Sequence, residues 1–322
     1  MKPFSMAEGV WPTMITPYTD QGEVDLDAVA RVVDWYIDQG VDGIFAVCQS
    51  SEMFYLSADE QEAILRQVVR AARGRVPVIA SGHTQYDCRA QLDVFKRLAR
   101  TGVDALVLIT NLLAGPDRSA AAFVRNIDFF AQRLALPLGL YECPHPYKYI
   151  LTPEQLRACA ETGRFYFLKD TCCDAELIQR RLEAVAGTQL KLFNANAQTL
   201  LQTLRAGAAG YSGVMANFHP ALYSRLCALA RQGRDGEDQA QQLQALLCLY
   251  AFTESMAYPV TAKYHMNLVG VPMSLYTRAR PAAELTAYQR GVVEQGVVLE
   301  RAAMAIAFPA DEARRRVPAG AP

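Results

Sequence analysis

Residues 10–232 alternate short apolar runs with longer amphipathic segments eight times, which predicts an α/β fold, a (β/α)8 TIM barrel with a C-terminal helical domain. Two further observations favour a closed barrel over an open doubly wound sheet. Eight strand–helix units within about 200–250 residues is the usual span of such a barrel. No GxGxxG follows the first apolar run, so the dinucleotide-binding signature of the open sheet is missing. The expected division is a catalytic barrel over residues 1–235 and a helical domain with its tail over 236–322.

The first strand is expected over 10–18, before the turn Asp20-Gln21-Gly22. A helix over 25–39 carries Leu26, Val29, Val33 and Tyr36 at helical spacing and stops at Gly40. Strand 43–47 runs into the loop Cys48-Gln49-Ser50-Ser51-Glu52. Ser57-Ala58-Asp59-Glu60 has the form of a capping box and opens a helix to 72. Strand 76–80 and helix 87–100 follow, then strand 105–110 and helix 119–134. The fifth strand, 136–141, precedes a helix opened by Thr152-Pro153-Glu154, with proline at its first position. The sixth strand begins at 165 and is followed by helix 174–186, strand 190–193 and helix 197–206. A weak eighth strand, 210–214, and helix 220–232 complete the repeats. Helical patterns over 239–258, 260–268 and 282–307 lead to a polar, Arg- and Pro-containing tail expected to fray.

The sixth strand carries the chemistry. Phe165-Tyr166-Phe167-Leu168 reads as a buried strand, and Lys169-Asp170-Thr171 continues it. In period-two counting Phe165, Phe167 and Lys169 share a face, so the amine points with two core aromatics. A desolvated lysine has a depressed pKa and can attack a carbonyl as the free amine. A strand end with Lys169 snorkelling to solvent beside Asp170 fits this stretch alone equally well.

Composition narrows the field. The 322 residues are 51% hydrophobic, and a mean hydropathy of +0.02 suits a soluble globular protein. Thirty-two Lys+Arg against 33 Asp+Glu leave a formal charge of -1, without the basic footprint of a nucleic-acid binder or a polybasic membrane segment. No apolar run reaches the roughly 18 residues of a membrane span, and Met1-Lys2-Pro3-Phe4-Ser5 lacks the apolar core of a signal peptide. The eight cysteines form no CxxC framework, and several sit in apolar patterns, which suits a reducing, cytoplasmic setting. The adjacent pair Cys172-Cys173 beside Asp174 is a poor chelate, and no metal is expected.

In a barrel of this kind the site lies at the C-terminal ends of the strands. Strand two ends in Cys48-Gln49-Ser50-Ser51-Glu52, strand five in Tyr141-Glu142-Cys143-Pro144-His145-Pro146. Strand seven ends in Asn194-Ala195-Asn196, and strand eight holds Ser212-Gly213. An amine, a phenol, hydroxyls and amides at one mouth suit Schiff-base chemistry. Each also has a plainer reading: Ser50 and Ser51 as loop hydroxyls satisfying local backbone, Tyr141 as a core ring beside Gly139, Glu52 as a satisfied loop carboxylate, and His145 as a rim residue.

The ordered set of pieces resembles the dihydrodipicolinate synthase/N-acetylneuraminate lyase family of class I aldolase-type enzymes, over residues 8–305. Cys48-Gln49-Ser50-Ser51-Glu52 is similar to its glycine-threonine-threonine-glycine-glutamate motif, Tyr141-Glu142-Cys143-Pro144 to its tyrosine-x-x-proline, and Lys169-Asp170 to its Schiff-base lysine with an acidic neighbour. The run from Gly207 to Asn217 resembles its strand-eight signature, and Pro259-Val260-Thr261-Ala262-Lys263 a segment of its helical domain. The resemblance implies an imine between Lys169 and a 2-oxo acid, proton shuttling by Tyr141, and a substrate carboxylate held by Ser50 with the backbone N–H groups of Ser50 and Ser51. It implies no cofactor and a homotetramer, a dimer of dimers. Lys263, on a helix of the appendage, is taken as structural.

Three departures stand out. Gln49 replaces the family's first hydroxyl residue, Asn111-Leu112-Leu113 replaces a tyrosine pair lent to a neighbouring subunit, and Pro146 stands where the synthases place an arginine. The first removes a hydroxyl from the expected proton relay, and the last two argue against the lysine-biosynthetic reaction. The expected activity is therefore a Schiff-base lyase acting on a 2-oxo acid or sugar acid, by C–C cleavage or C–O elimination. Its catalytic residues would be Lys169, Tyr141 and Ser50; substrate would meet Ser51, Gln49, Glu142, His145, Asn194, Asn196 and Ser212. The alternative is a non-catalytic 2-oxo acid or sugar-acid binder on the same barrel.

Overall fold

The computed structural model describes residues 5–308. The tail expected to fray and the first four residues of the N-terminal pentapeptide lie outside that range. Eight parallel strands, β1 (Gly9–Val10), β2 (Ile44–Phe45), β3 (Val78–Ala80), β4 (Ala105–Ile109), β5 (Leu138–Tyr141), β6 (Phe165–Asp170), β7 (Lys191–Asn194) and β8 (Gly210–Tyr211), pair in the order β1-β8-β7-β6-β5-β4-β3-β2. The remaining seam, between β1 and β2, is closed by a parallel bridge between Thr13 and Phe45, with Phe45 N–H donating to the Pro12 carbonyl and Met14 N–H to that of Phe45. The (β/α)8 barrel is thus borne out.

Helices α1 (Leu26–Asp38), α2 (Ala58–Ala72), α3 (Cys88–Ala99), α4 (Thr110–Ala114), α5 (Ala120–Arg133), α6 (Pro153–Glu161), α7 (Ala175–Ala184), α8 (Leu200–Arg205) and α9 (Pro220–Gln232) alternate with the strands. Their starts follow local side-chain chemistry, anticipated above for α2 and α6. Asp25 accepts from Ala28 N–H at the start of α1, Ser57 and Glu60 close a reciprocal capping box on α2, and Thr152 and Gln155 do so on α6. Helices α10 (Glu237–Tyr250), α11 (Val260–Leu268) and α12 (Ala287–Ala307) follow, α10 and α12 packing on α9. No helix among the described residues is long and apolar enough to cross a membrane.

Some bounds differ from expectation for identifiable reasons. The run 10–18 yields a two-residue ladder because Pro12 and Pro17 have no N–H to give a sheet. Residues 239–258 do not form one helix: α10 ends at Tyr250, a 3-10 turn covers Ala251–Thr253, and Tyr258–Pro259 is cis. The last helix starts at Ala287, not 282, because Thr286 caps it in a box with Gln289. Helix α4 was not anticipated; its five residues are too few for a periodic signal.

The barrel interior is plugged by aromatic rings. Phe167 stacks on Phe193 at 4.7 Å, and Trp11 and Phe45 meet Phe167 at 5.8 and 6.0 Å. Gly139, opposite on β5, makes room for this plug, since a Cβ there would lie 3.2 Å from that of Phe167. At the other side of the barrel Gly9 pairs with Gly210, and a Cβ on Gly210 would fall 1.8 Å from the Gly9 carbonyl oxygen. Gly210→Ala is therefore expected to push β1 off β8 and destabilise the protein by about 3 kcal/mol. Urea denaturation checks this; a midpoint equal to that of the wild type would refute the tight β1–β8 approach.

Candidate active site

Side chains alternate across a strand, so Phe167 and Lys169 of β6 both face inward, with the lysine nearer the C-terminal mouth. Tyr141 of β5 is in register with Lys169, and the amine lies 4.3 Å from the centroid of the tyrosine ring. Lys169 is only 5% exposed and, among the described residues, forms no ion pair with a carboxylate. Burial therefore pulls its pKa below the ordinary lysine value, opposed by the neighbouring thiols of Cys48 and Cys143. Burial also pushes the Tyr141 phenol well above its usual value, so it holds its proton at neutral pH. A buried amine beside a protonated phenol can attack a carbonyl and exchange protons with the adduct.

These groups open into a cavity of about 810 Å3 at the barrel mouth. The strand-two loop supplies Gln49 and Ser50 to its wall. Gln49 Oε1 lies 3.4 Å from the Tyr141 hydroxyl and 3.3 Å from Cys143 Sγ. Ser50 Oγ donates to Thr13 Oγ1 at 3.1 Å and pairs with the Tyr258 hydroxyl. His145 sits on the exposed rim with its ring 4.7 Å from that of Phe54, and Asn196 lines the opposite wall. Glu52 lines the cavity too, but its carboxylate accepts the backbone N–H groups of Arg278 and Ala279 at 2.6 and 2.7 Å and so anchors that segment.

Four expected substrate contacts are corrected by the geometry. Glu142 is not at the rim: the residue after Tyr141 faces out of the barrel, is fully buried, and binds Arg181 Nη2 at 2.6 Å through Oε1. Ser51 Oγ is occupied by the carbonyls of Met14 and Ala46, and its N–H donates to the Cys48 carbonyl. Asn194 spends its amide on Thr199, Thr203 and the Asn196 N–H. Ser212 Oγ donates to the Trp11 carbonyl at 2.9 Å. None of these four side chains lines the cavity.

Other residues take their place. Tyr258, Glu254 and Lys148 line the cavity, the first two from the segment between α10 and α11. Tyr258 immediately precedes the Pro259–Lys263 run already singled out, and reading that motif one residue further would have found it. Lys263 itself is fully buried, 4.6 Å from the Tyr18 ring centroid, and burial brings its pKa to about 7, with Glu52 opposing. It does not line the cavity, in keeping with a structural part. Asn111, in the stretch lacking the family's tyrosine pair, donates to the carbonyls of Cys143, His145 and Tyr147 and so fixes the loop that carries His145.

Behind the two facing residues lies a buried ion triad. Glu142 and Asp170, which follow Tyr141 and Lys169 on adjacent strands, both bind Arg181 of α7, and all three side chains are fully buried. Glu142 also accepts from the N–H groups of Leu151 and Thr171. Burial and the Asp170 charge raise the Glu142 pKa, against the pull of Arg181.

A parallel eightfold barrel whose mouth holds a buried lysine, without an ion-pair partner among the described residues, has the arrangement of a site for amine chemistry on a carbonyl. The comparisons narrow this further. The model of the dihydrodipicolinate synthetase family matches residues 6–298, and the chain belongs to that family. It is 27% identical over 270 residues to the 4-hydroxy-tetrahydrodipicolinate synthase of Pseudomonas aeruginosa, covering 82% of this chain and 90% of that one. Among solved structures it resembles the Acinetobacter baumannii dihydrodipicolinate synthase complexed with pyruvate, with a TM-score of 0.81, 23% identity and coverage of 91% and 98%. A dihydrodipicolinate synthase variant described as monomeric gives 0.82, 22%, and 94% and 99%. The chain is accordingly a lyase-type enzyme of this family.

Arg181→Met is expected to cost about 3–5 kcal/mol, because it leaves two buried carboxylates without their cation. Adding Glu142→Gln should recover part of the loss. Equilibrium unfolding of both variants checks this, and a single variant as stable as the wild type would remove the triad's importance.

Proposed function

We propose that the protein is a Schiff-base-forming lyase whose Lys169 forms an imine with a 2-oxo acid, with Tyr141 as proton relay. The observation that carries this reading is the buried Lys169 amine, 4.3 Å from the Tyr141 ring and without an ion-pair partner among the described residues. The free amine attacks the keto carbon, and the carbinolamine loses water to give a protonated imine. That imine is the electron sink. In C–C cleavage the bonding pair moves into an enamine as an aldehyde leaves; in dehydration a C3 proton is lost and the C4 hydroxyl is expelled. Protonation or tautomerisation and hydrolysis then return the amine. Tyr141, held protonated by burial, donates to the departing carbinolamine hydroxyl, and the phenolate so formed takes the C4 hydroxyl proton in cleavage or the C3 proton in dehydration.

Ser50 and its backbone N–H are proposed to hold the substrate carboxylate, and Gln49 to orient the Tyr141 hydroxyl. The cavity of about 810 Å3 favours a substrate extended beyond pyruvate, with His145 and Asn196 at its outer part. The eight free cysteines support a reducing, cytoplasmic setting. A homotetramer is proposed from family membership, and light scattering of the purified chain reads it directly.

Intact-mass spectrometry after pyruvate and borohydride tests the imine. One reduced adduct is expected on the wild type and none on Lys169→Ala; an unchanged wild-type mass with pyruvate and longer 2-oxo acids would sink the proposal. Tyr141→Phe should keep the adduct but lower turnover by about 10²–10⁴-fold. The pH dependence has a definite sign. Burial lowers the Lys169 pKa, so the trapping rate should fall as pH drops through a value below the ordinary lysine pKa of about 10.4. A midpoint at or above that value would contradict a desolvated amine.

A further inference from the structure

A second buried cluster lies among the C-terminal helices, and neither the barrel chemistry nor the family resemblance uses it. His219, the residue before α9, His265 of α11 and Glu300 of α12 bring one ligand atom each within 4.8 Å of one another. Both histidines are only 1% exposed. His219 Nδ1 lies 3.3 Å and His265 Nε2 3.2 Å from the same carboxylate oxygen, Glu300 Oε2. Around a divalent ion with Zn–N and Zn–O bonds of about 2.0–2.1 Å, ligand atoms at tetrahedral positions stand roughly 3.3 Å apart. The two observed edges therefore already have the length that a metal would impose.

We propose that His219, His265 and Glu300 form a binding site for a divalent transition metal, with Zn2+ as the fitting ion. Two histidines and one carboxylate are a donor set that zinc accepts, with a further position left for water. A cavity of about 20 Å3 adjoins the two histidines, with Tyr250 and Thr253 on its wall beside Phe218, Val292 and Val293, which is room for one water. His219 gives a second, independent indication. Neither of its ring nitrogens has a hydrogen-bond partner of proper geometry, an expensive state for a buried imidazole that a metal bond at Nδ1 would relieve at that atom.

Bound there, the ion would tie α11 and α12 to the start of α9. Helix α11 follows directly on the segment that carries Glu254 and Tyr258 into the active-site cavity, so the site would hold that wall in place. The proposal does not depend on the reaction at Lys169.

The test uses the full chain freed of any affinity tag and stripped with chelator, titrated with Zn2+ against a chromophoric competitor. One equivalent per chain is expected, with a rise in Tm that chelator reverses. His265→Ala and His219→Ala should each weaken binding by a hundredfold or more, at least the loss seen on removing a supporting contact. Because those variants are core substitutions, the wild type loaded with Co2+ provides a fold-independent readout. Visible d–d bands of a four- or five-coordinate N/O site, without thiolate charge transfer, are expected. Failure to bind, a thiolate band from the cysteines, or undiminished affinity in a folded histidine variant would overturn the proposal.

Discussion

The arrangement of the site depends on one buried guanidinium. Arg181 has no access to solvent, and it binds two carboxylates that are equally buried. Removing three charges from water is costly, and such a group is weak evidence for stability as such. What it does provide is geometry. Glu142 and Asp170 sit on the outer faces of β5 and β6, and each is one residue beyond an inward-facing group, Tyr141 or Lys169. Holding the outer pair on one planar fork fixes the register of the two strand ends. Register, in turn, sets the separation of amine and phenol. The Leu151 carbonyl completes the arrangement by accepting from Arg181 Nε at 3.1 Å, while Leu151 N–H donates to Glu142 at 2.8 Å.

The inner face meets a different requirement. A lysine intended for nucleophilic use has to be dry and out of contact with a carboxylate, which would stabilise its charged form; Glu254 across the cavity exerts a pull that burial outweighs. The aromatic plug of Trp11, Phe45, Phe167 and Phe193 provides dryness from below, and the Tyr141 ring face offers the cation only a weak contact. Asp170, adjacent in sequence, is kept out of reach on the other face by strand alternation and by Arg181. The same short stretch therefore carries a carboxylate that orders the strand and an amine insulated from it. Above the amine the wall is completed from far along the chain, by Glu254 and Tyr258. Closure of this site is thus shared between the barrel and the C-terminal helices.

Much of this was legible in the sequence where a simple period governs structure. Alternation in Phe165-Tyr166-Phe167-Leu168-Lys169 placed the amine with the core rings, the Ser57–Glu60 capping box located the start of α2, and Thr152-Pro153 that of α6. The same rule, applied one residue past Tyr141, would have turned Glu142 away from the substrate; proximity to a strand end was mistaken for access to the mouth. Ser51, Asn194 and Ser212 were harder, because whether a hydroxyl or amide faces a ligand or its own backbone depends on loop conformation that no period encodes. Arg181 lay within reach: with Ile178 and Val185 it falls at helical spacing on the buried face of α7, where an arginine calls for partners.

The residues that escaped sequence reading altogether share a physical cause. Tyr258 reaches Ser50 across more than 200 positions of chain, and His219, His265 and Glu300 meet only because α9, α11 and α12 pack together. Contacts of that kind arise from the packing of helices whose own periodicity speaks of burial but not of partner. A polar residue on such a buried face therefore carries a specific message even when its partner is unknown. Either other polar groups of the fold satisfy it, as they do Arg181, or something outside the polypeptide must. His219 has the first nitrogen near a carboxylate and neither in a well-formed hydrogen bond, which places it on the second side of that division.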